Sequence, residues 1–362
     1  MHFDKERSVD TAMIKTRLTE MLGIRYPVIQ AGMGPWNTDK LCVAAANAGA
    51  LGIISTIGIG YQSVKPEVFA SDGKARPPYD VLKEILASVG EQTAAAKGVF
   101  GANIPLAIEF KEMIEGLIRA VTDARKESPD LADRLKVIIT SAGSPTPWTD
   151  AIKESGALWF HVAPSVYHAI KAEKAGADVV IASGREGGGH VSFEPIHTMV
   201  LLPSVIDAVG IPVIGAGGFG DGASLVAALA LGAIGVQMGT RFIATAESDF
   251  QDMWKDKVIA CSEMDSLVGI SIFGPARYLK NEVSVRLHEL LMQGFQVGYS
   301  EGVDLEGNGI ILSMQGKDPD RSIYFGGEVA GRVKNISTVA ELLKSIEEQA
   351  EKTVASLQQS LQ

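Results

Sequence analysis

Lys174-Ala175-Gly176-Ala177-Asp178-Val179-Val180-Ile181-Ala182-Ser183-Gly184-Arg185-Glu186-Gly187-Gly188-Gly189-His190 carries the chain through one whole structural unit. A helical pattern stops at Gly176, a residue suited to the left-handed position that ends helices. The β-branched run Val179–Ile181 then reads as a buried strand. Three glycines turn the chain away from the strand and deliver a histidine. Glycine lets the backbone adopt positive φ and lets a flat or anionic ligand approach the main chain. Histidine is the side chain best poised to move a proton near neutral pH. Taken alone, the loop reads equally well as a surface turn with a solvated imidazole.

Working outward, the same unit recurs along the chain. Strand-like runs fall at Tyr26–Gln30, Leu51–Ser55, Val99–Ile104, Val137–Thr140, Leu158–Val162, Val179–Ala182, Pro212–Ala216 and Ile234–Met238. Helical patterns lie between most of them, at Thr38–Ala48, Asp80–Lys97, Ile108–Ser128, Thr149–Ser155, Val166–Ala175, Leu201–Val209 and Ala223–Leu231. Near-continuous apolar strands alternating with helices predict parallel β-structure covered on both faces. Eight such units predict a closed α/β barrel of the (β/α)8, or TIM, type rather than an open sheet.

Two segments break the rhythm. Ile57–Arg76 lengthens the connection after the second strand, and Glu247–Gln315 follows the eighth, with helix-like runs at Asp249–Cys261 and Val283–Gly294. The expected organisation is a barrel made of residues 16–246 plus 316–362, and a helical lid or subdomain over 247–315. A C-terminal helix is announced by the Thr338/Glu341 capping pattern and by a stripe of Val339, Leu342, Leu343, Ile346, Ala350, Val354, Leu357 and Leu361. That stripe is expected to pack on the barrel or on a second subunit of a homodimer.

Composition narrows the function. The 362 residues include 33 Lys+Arg and 43 Asp+Glu, a formal net charge of −10, which argues against nucleic acid and anionic lipid as partners. Cys42 and Cys261 are far apart and form no C-x-x-C pair, so neither a disulfide framework nor a zinc site is expected. The charged N-terminus is unlike a signal peptide. The uncharged stretches Leu41–Val64 and Gly222–Thr240 each split into an Ala-rich helix and a short strand, so no membrane segment is expected. A cytoplasmic location follows.

In such a barrel the site forms at the carboxyl ends of the strands, and the turns after the seventh and eighth strands often bind phosphate. Here those turns are Gly215-Ala216-Gly217-Gly218-Phe219-Gly220-Asp221-Gly222 and Gln237-Met238-Gly239-Thr240-Arg241-Phe242. Glycine N–H groups entering a helix cradle an anion, and the Thr240 hydroxyl adds a donor. Neither turn has P-loop or Rossmann spacing. No strand-end lysine offers a Schiff base, and with His161 and His190 the only strand-end histidines, no metal is expected. A flavin or sugar bearing a phosphate is the better fit. His161, His168 and His197 read as structural or surface groups.

Taken in order, Gln30-Ala31-Gly32-Met33-Gly34, Gly101-Ala102-Asn103, Ala175-Gly176-Ala177-Asp178 leading to Gly187-Gly188-Gly189-His190, Ala216-Gly217-Gly218-Phe219 and Gly235-Val236-Gln237-Met238-Gly239-Thr240-Arg241-Phe242 resemble the nitronate monooxygenase family. That family, once called 2-nitropropane dioxygenases, includes flavin-dependent enoyl-[acyl-carrier-protein] reductases and NADH:quinone reductases. The resemblance runs from about Thr16 to Pro275-Ala276-Arg277, and more loosely through Gly326–Gly331. It implies noncovalent FMN, with Ala31, Gly32 and Met33 along the flavin ring and Asn103 near it. Ser183, Gly188 and Gly189 would lie beside the cofactor, and Gly217, Gly218, Gln237, Met238, Gly239 and Thr240 would hold its phosphate. His190 would be the catalytic acid or base. One departure stands out: Gly187-Gly188-Gly189-His190 has one glycine more than the usual Glu-Ala-Gly-Gly-His pattern, which should loosen the loop.

The resemblance implies a small-molecule substrate and leaves two reactions open. One is oxidation of nitronates or nitroalkanes with O2. The other is reduction of an enoyl thioester, enone or quinone with NAD(P)H. A flavin-free phosphate-binding barrel is the alternative of a different class.

Overall fold

The eight apolar runs close into a parallel barrel. A computed structural model, which describes residues 14–70, 72–194 and 196–361, places β1 at Val28–Gln30, β2 at Gly52–Ser55, β3 at Phe100–Pro105 and β4 at Leu135–Ser141. The barrel continues with β5 at Leu158–Ala163, β6 at Val179–Ser183, β7 at Val213–Ala216 and β8 at Val236–Met238. Hydrogen-bonded neighbours run β1-β8-β7-β6-β5-β4-β3-β2. The seam between β1 and β2 is held by a parallel bridge at Ile29 and Leu51, with Gln30 N–H donating to Leu51 C=O at 2.9 Å and Leu51 N–H to Val28 C=O at 3.1 Å.

Alternation along each strand explains why whole runs are apolar. Ile29, Ile53, Val137, Ile139, Phe160, Val179, Ile181 and Ile214 fill the barrel interior. Their neighbours Val28, Ile54, Ile138, Trp159, Val180 and Val213 pack outward under the helices. Successive strand side chains point to opposite faces, so both sets are buried. The helix Arg17–Leu22 stoppers the amino-terminal end, where Leu18, Leu22 and Ile24 join the interior cluster. Gly176 (φ 91°) and Gly232 (φ 98°) end their helices in the left-handed region.

Beyond β8 the chain forms the helix Asp252–Ala260, then an antiparallel hairpin of β9 (Ser266–Ser271) and β10 (Gly274–Leu279), then the helices Glu282–Gln293 and Phe295–Gln315. The hairpin was not foreseen among the helices of this insertion, and it matters. The two-residue strand Gly189–His190 pairs with β10, His190 opposite Ala276 and Gly189 opposite Arg277. The histidine loop of the barrel is therefore the third strand of the insertion's sheet.

The terminal helix Val339–Ser360 is capped reciprocally by Thr338 and Glu341. Val339, Leu342, Leu343, Ile346 and Ala350 are buried against the barrel's helical layer, including helix Gly222–Ala230. A Cβ at Gly222 would sit 2.2 Å from the Ile346 carbonyl oxygen, so only glycine admits this approach. Val354, Leu357 and Leu361, the distal part of the stripe, are exposed.

Candidate active site

A cavity of about 1200 Å³ opens at the carboxyl ends of the strands. Ala31, Gly32, Met33, Asn103, Ser183, Gly188, Gly189, His190, Gly217, Gly218, Gln237, Gly239 and Thr240 all line it. Met238 does not. By strand alternation its side chain is buried between the strands and the helical layer, and only its carbonyl, which accepts from Ala31 N–H at 3.0 Å, supports the cavity wall.

The two glycine turns present unmet donors. Among the described residues, no protein acceptor takes the backbone N–H of Gly217, Gly218, Gly239 or Thr240. Donors without protein partners, gathered on a cavity wall at turns that enter helices, fit an anion. Gly217 and Gly218 have φ of 84° and 88°. Space also demands the first, since a Cβ there would lie 2.7 Å from the Gly184 carbonyl oxygen. At Gly218 the nearest atom is 3.5 Å away, so its backbone conformation is what requires glycine. Thr240 Oγ accepts from Gly327 N–H at 2.9 Å and keeps its own proton to donate.

Hydrogen bonds anchor the histidine loop on both sides of Glu186. Glu186 accepts from the Thr198 N–H (2.9 and 3.0 Å) and the Thr198 hydroxyl (2.9 Å), and its backbone carbonyl accepts from Glu328 N–H at 3.0 Å. Gly187 N–H donates to the Gly184 carbonyl at 3.1 Å. A Cβ at Gly188 would fall 2.6 Å from the Gly326 carbonyl carbon, so the glycine run serves a backbone-to-backbone contact with Gly326-Gly327.

The His190 ring lies between Phe273 (centroids 5.6 Å) and Phe325 (6.3 Å). Solvent reaches it through the cavity, and protein encloses it elsewhere; this enclosure pushes its pKa down to about 4. The imidazole is neutral at pH 7. Its Nε2 lies 3.0 Å from Ser271 Oγ, which is 2.5 Å from Glu306 Oε1.

The three histidines that the sequence marks as structural or surface groups have local partners. His161 is buried, with Nδ1 2.7 Å from Thr140 Oγ, and burial pushes its pKa down to about 4. His168 Nδ1 lies 2.8 Å from the hydroxyl of Ser165, the cap of its helix. His161 and His168 also touch the cavity. His197 is on the surface, 3.7 Å from Glu186.

A (β/α)8 barrel that brings unmet backbone donors and a neutral histidine to one cavity at its strand ends defines a cofactor-using barrel enzyme. The particular family follows from comparison. The nitronate monooxygenase family model matches residues 15–349, and the chain belongs to that family. It is an oxidoreductase, and membership supports a flavin as its cofactor.

A Mycobacterium tuberculosis protein named (3aS,4S,5R,7aS)-5-hydroxy-7a-methyl-1-oxo-octahydro-1H-indene-4-carboxyl-CoA dehydrogenase is 36% identical over 279 residues, which cover 76% of this chain and 68% of that one. A probable nitronate monooxygenase of Staphylococcus saprophyticus is 32% identical over 304 residues, covering 76% of this chain and 81% of that one. Among solved structures, FabK from Thermotoga maritima superposes with a TM-score of 0.79 at 30% identity, covering 96% of this chain and 99% of that one. Nitroalkane oxidase from Streptomyces ansochromogenes shares the fold, with a TM-score of 0.73 at 21% identity over 94% of this chain and 99% of that one. No described helix is long and apolar enough to cross a membrane.

Sequence reasoning missed Ser271 and Glu306. A signal for Glu306 exists: Gly302, Glu306, Gly309, Ile310 and Ser313 form the buried stripe of their helix. A lone carboxylate on such a stripe calls for partners.

Proposed function

We propose that the protein is an FMN-dependent oxidoreductase in which His190 handles the substrate proton. The observation that carries this reading is the cluster of unmet N–H groups at Gly217, Gly218, Gly239 and Thr240 in the same cavity as His190. These four residues would take the cofactor phosphate. Ala31, Gly32, Met33, Asn103, Ser183, Gly188, Gly189 and Gln237 would flank the rest of the cofactor, with Asn103 Nδ2 held by the Ile139 carbonyl and Ser141 Oγ, each at 3.3 Å. When bound, the flavin supplies the electron transfer. As a neutral imidazole, His190 accepts the α-proton of a nitroalkane or, protonated, returns one to an enone.

Nitronate or nitroalkane oxidation with O2 is the first reading. A second is favoured by the cavity itself, whose wall continues through Tyr61, Phe69, Phe110, Met113, Phe273 and Ile311. That apolar volume suits a bulky acyl thioester or enone handled with NAD(P)H, and both FabK and the M. tuberculosis carboxyl-CoA dehydrogenase match this chain at 30% identity or more. In either case, residues 247–315 act as the cover of the site. The exposed end of the terminal helix suits a homodimer.

The purified protein should be yellow and release about one FMN per chain. Anaerobic bleaching by a nitronate supports the first reading; bleaching by NADH or NADPH with recovery on adding an enone or enoyl thioester supports the second. A colourless protein that takes up no FMN on reconstitution removes both.

A further inference from the structure

Glu306 occupies a position that a carboxylate fits and its amide would not. It lies on the inward face of helix Phe295–Gln315, 3% exposed, in a shell where charged groups seldom sit unpaired. Three donor groups face it: the Ser271 hydroxyl on Oε1 at 2.5 Å, the Ile272 N–H on Oε2 at 3.0 Å, and the Tyr278 hydroxyl, which shares its one proton between Oε1 at 3.0 Å and the Ile270 carbonyl at 2.9 Å. Among the described residues no Lys or Arg pairs with Glu306, and the titratable groups turned toward it are Tyr61, Tyr278 and, through Ser271, His190. Burial raises its carboxyl pKa, and the three hydrogen bonds oppose that rise.

The direction of the chain follows from counting protons. Ser271 has one hydroxyl proton, and with Glu306 ionised that proton goes to the carboxylate. Its oxygen then has only lone pairs to offer His190 Nε2 at 3.0 Å, so Nε2 must carry the hydrogen. Among the described residues Nδ1 has no protein partner, and His190 lines the cavity. A histidine tautomer is set by the hydrogen bond that the other ring nitrogen makes.

We propose that Ser271 and Glu306 are positioning residues that hold His190 as its Nε2–H tautomer, leaving Nδ1 as the nitrogen that meets the substrate proton. The proposal rests on the reading of His190 as the acid or base. Both positioning residues come from the insertion, Ser271 ending β9 and Glu306 on the helix behind it. The insertion thus contributes to the chemistry as well as covering it. When Nδ1 takes a proton the imidazolium charge faces the Glu306 carboxylate through the serine, the arrangement by which a buried acid steadies a catalytic histidine without taking its proton.

The test separates this proposal from the function it rests on. In protein labelled with 15N-histidine, near pH 7, the His190 signals are those lost in His190→Asn. Wild type should show a protonated Nε2 and an unprotonated Nδ1, Ser271→Ala should show mixed tautomers, and Ser271→Thr should restore the wild-type pattern. In turnover, Ser271→Ala and Glu306→Gln should lower kcat by ~10–10²-fold, part of the contribution of a positioned acid or base, with KM within about twofold. Ser271→Thr should recover most of the loss. A wild-type ring protonated at Nδ1, or a tautomer untouched by Ser271→Ala, overturns the positioning role, whatever the enzyme's reaction. A tautomer that shifts as stated while kcat stays constant supports the positioning and sinks His190 as acid or base.

Discussion

At the amino-terminal end of the barrel, Leu18, Leu22 and Ile24 seat among Ile29, Leu51, Val137 and Val179 as one buried cluster. At the carboxyl end, the same strands give way to glycines with unmet N–H groups around about 1200 Å³ of space. One end is filled by side chains whose loss would cost stability. The other is lined by backbone whose donors face the cavity without a protein acceptor, as at a site that awaits a ligand. The comparison predicts that changes at the two ends separate cleanly into stability and activity.

The largest effect should fall at the open end. His190→Asn should keep flavin and fold while slowing turnover by ~10²–10⁴. With a nitroalkane substrate, the neutral form needs its α-proton removed and the preformed nitronate does not, so the loss should be far greater on the former. Equal losses on both would leave His190 a binding group. If the reductase reading holds, the variant should slow reoxidation by the enone more than reduction by NAD(P)H.

At the closed end, Leu22→Ala should cost about 2–5 kcal/mol in denaturant unfolding, the range for a fully buried leucine that leaves a cavity. FMN affinity of the folded variant should be unchanged. A variant that loses flavin before it loses structure would break the division between the ends.

The third effect is one of pH. His161 and His190 have folded pKa values near 4, below the usual 6.5. The folded state therefore binds fewer protons than the unfolded chain between those values, and stability present above pH 6.5 should be lost as pH falls toward 4. Each group contributes a slope of up to about 1.4 kcal/mol per pH unit, discounted for His190, which water reaches. His161→Gln should flatten the curve in that window; an unchanged slope would assign the loss to other groups.

Gly218→Asp should weaken FMN binding at least ~10-fold in a folded protein, because it sets a carboxylate and a strained φ where donors face the phosphate. Flavin titration against circular dichroism reads both. Unchanged affinity would move the phosphate elsewhere. The smallest effect is Leu357→Lys on the exposed distal helix, within about 0.5 kcal/mol for a monomer. A drop in apparent mass by sedimentation would instead place that helix in a dimer interface.

The barrel was legible because each strand needs apolar side chains on both faces, and the glycine turns fall where the barrel rule looks for them. The hairpin was not. Gly269 and Pro275 argue against strands, but Gly269 is there because a Cβ would meet the Leu287 Cβ at 2.8 Å, and Pro275 gives its carbonyl to Val191 N–H at 2.9 Å. Helix Phe295–Gln315 was hidden likewise. Gly298, Gly302 and Gly309 lower its propensity, yet each lets a neighbour approach: Leu290, Ile270 and Ile323, within 2.8, 2.1 and 2.6 Å of where a Cβ would be. Close packing overrode local preference at these positions. Met238 was misjudged for a simpler reason, since a residue next to a binding turn still obeys the alternation of its strand.

The pairing of Gly189–His190 with β10 bears on how such an enzyme could be rebuilt. A designer who grafts the insertion of one relative onto the barrel of another would be exchanging two strands of a three-stranded sheet while leaving the third behind. The histidine loop, the hairpin, the helix bearing Glu306 and the Gly326-Gly327 segment against which Gly188 packs form one unit of exchange, though they are spread over more than a hundred residues of the chain. Chimaeras cut within that unit should fold as barrels and lack a properly held histidine.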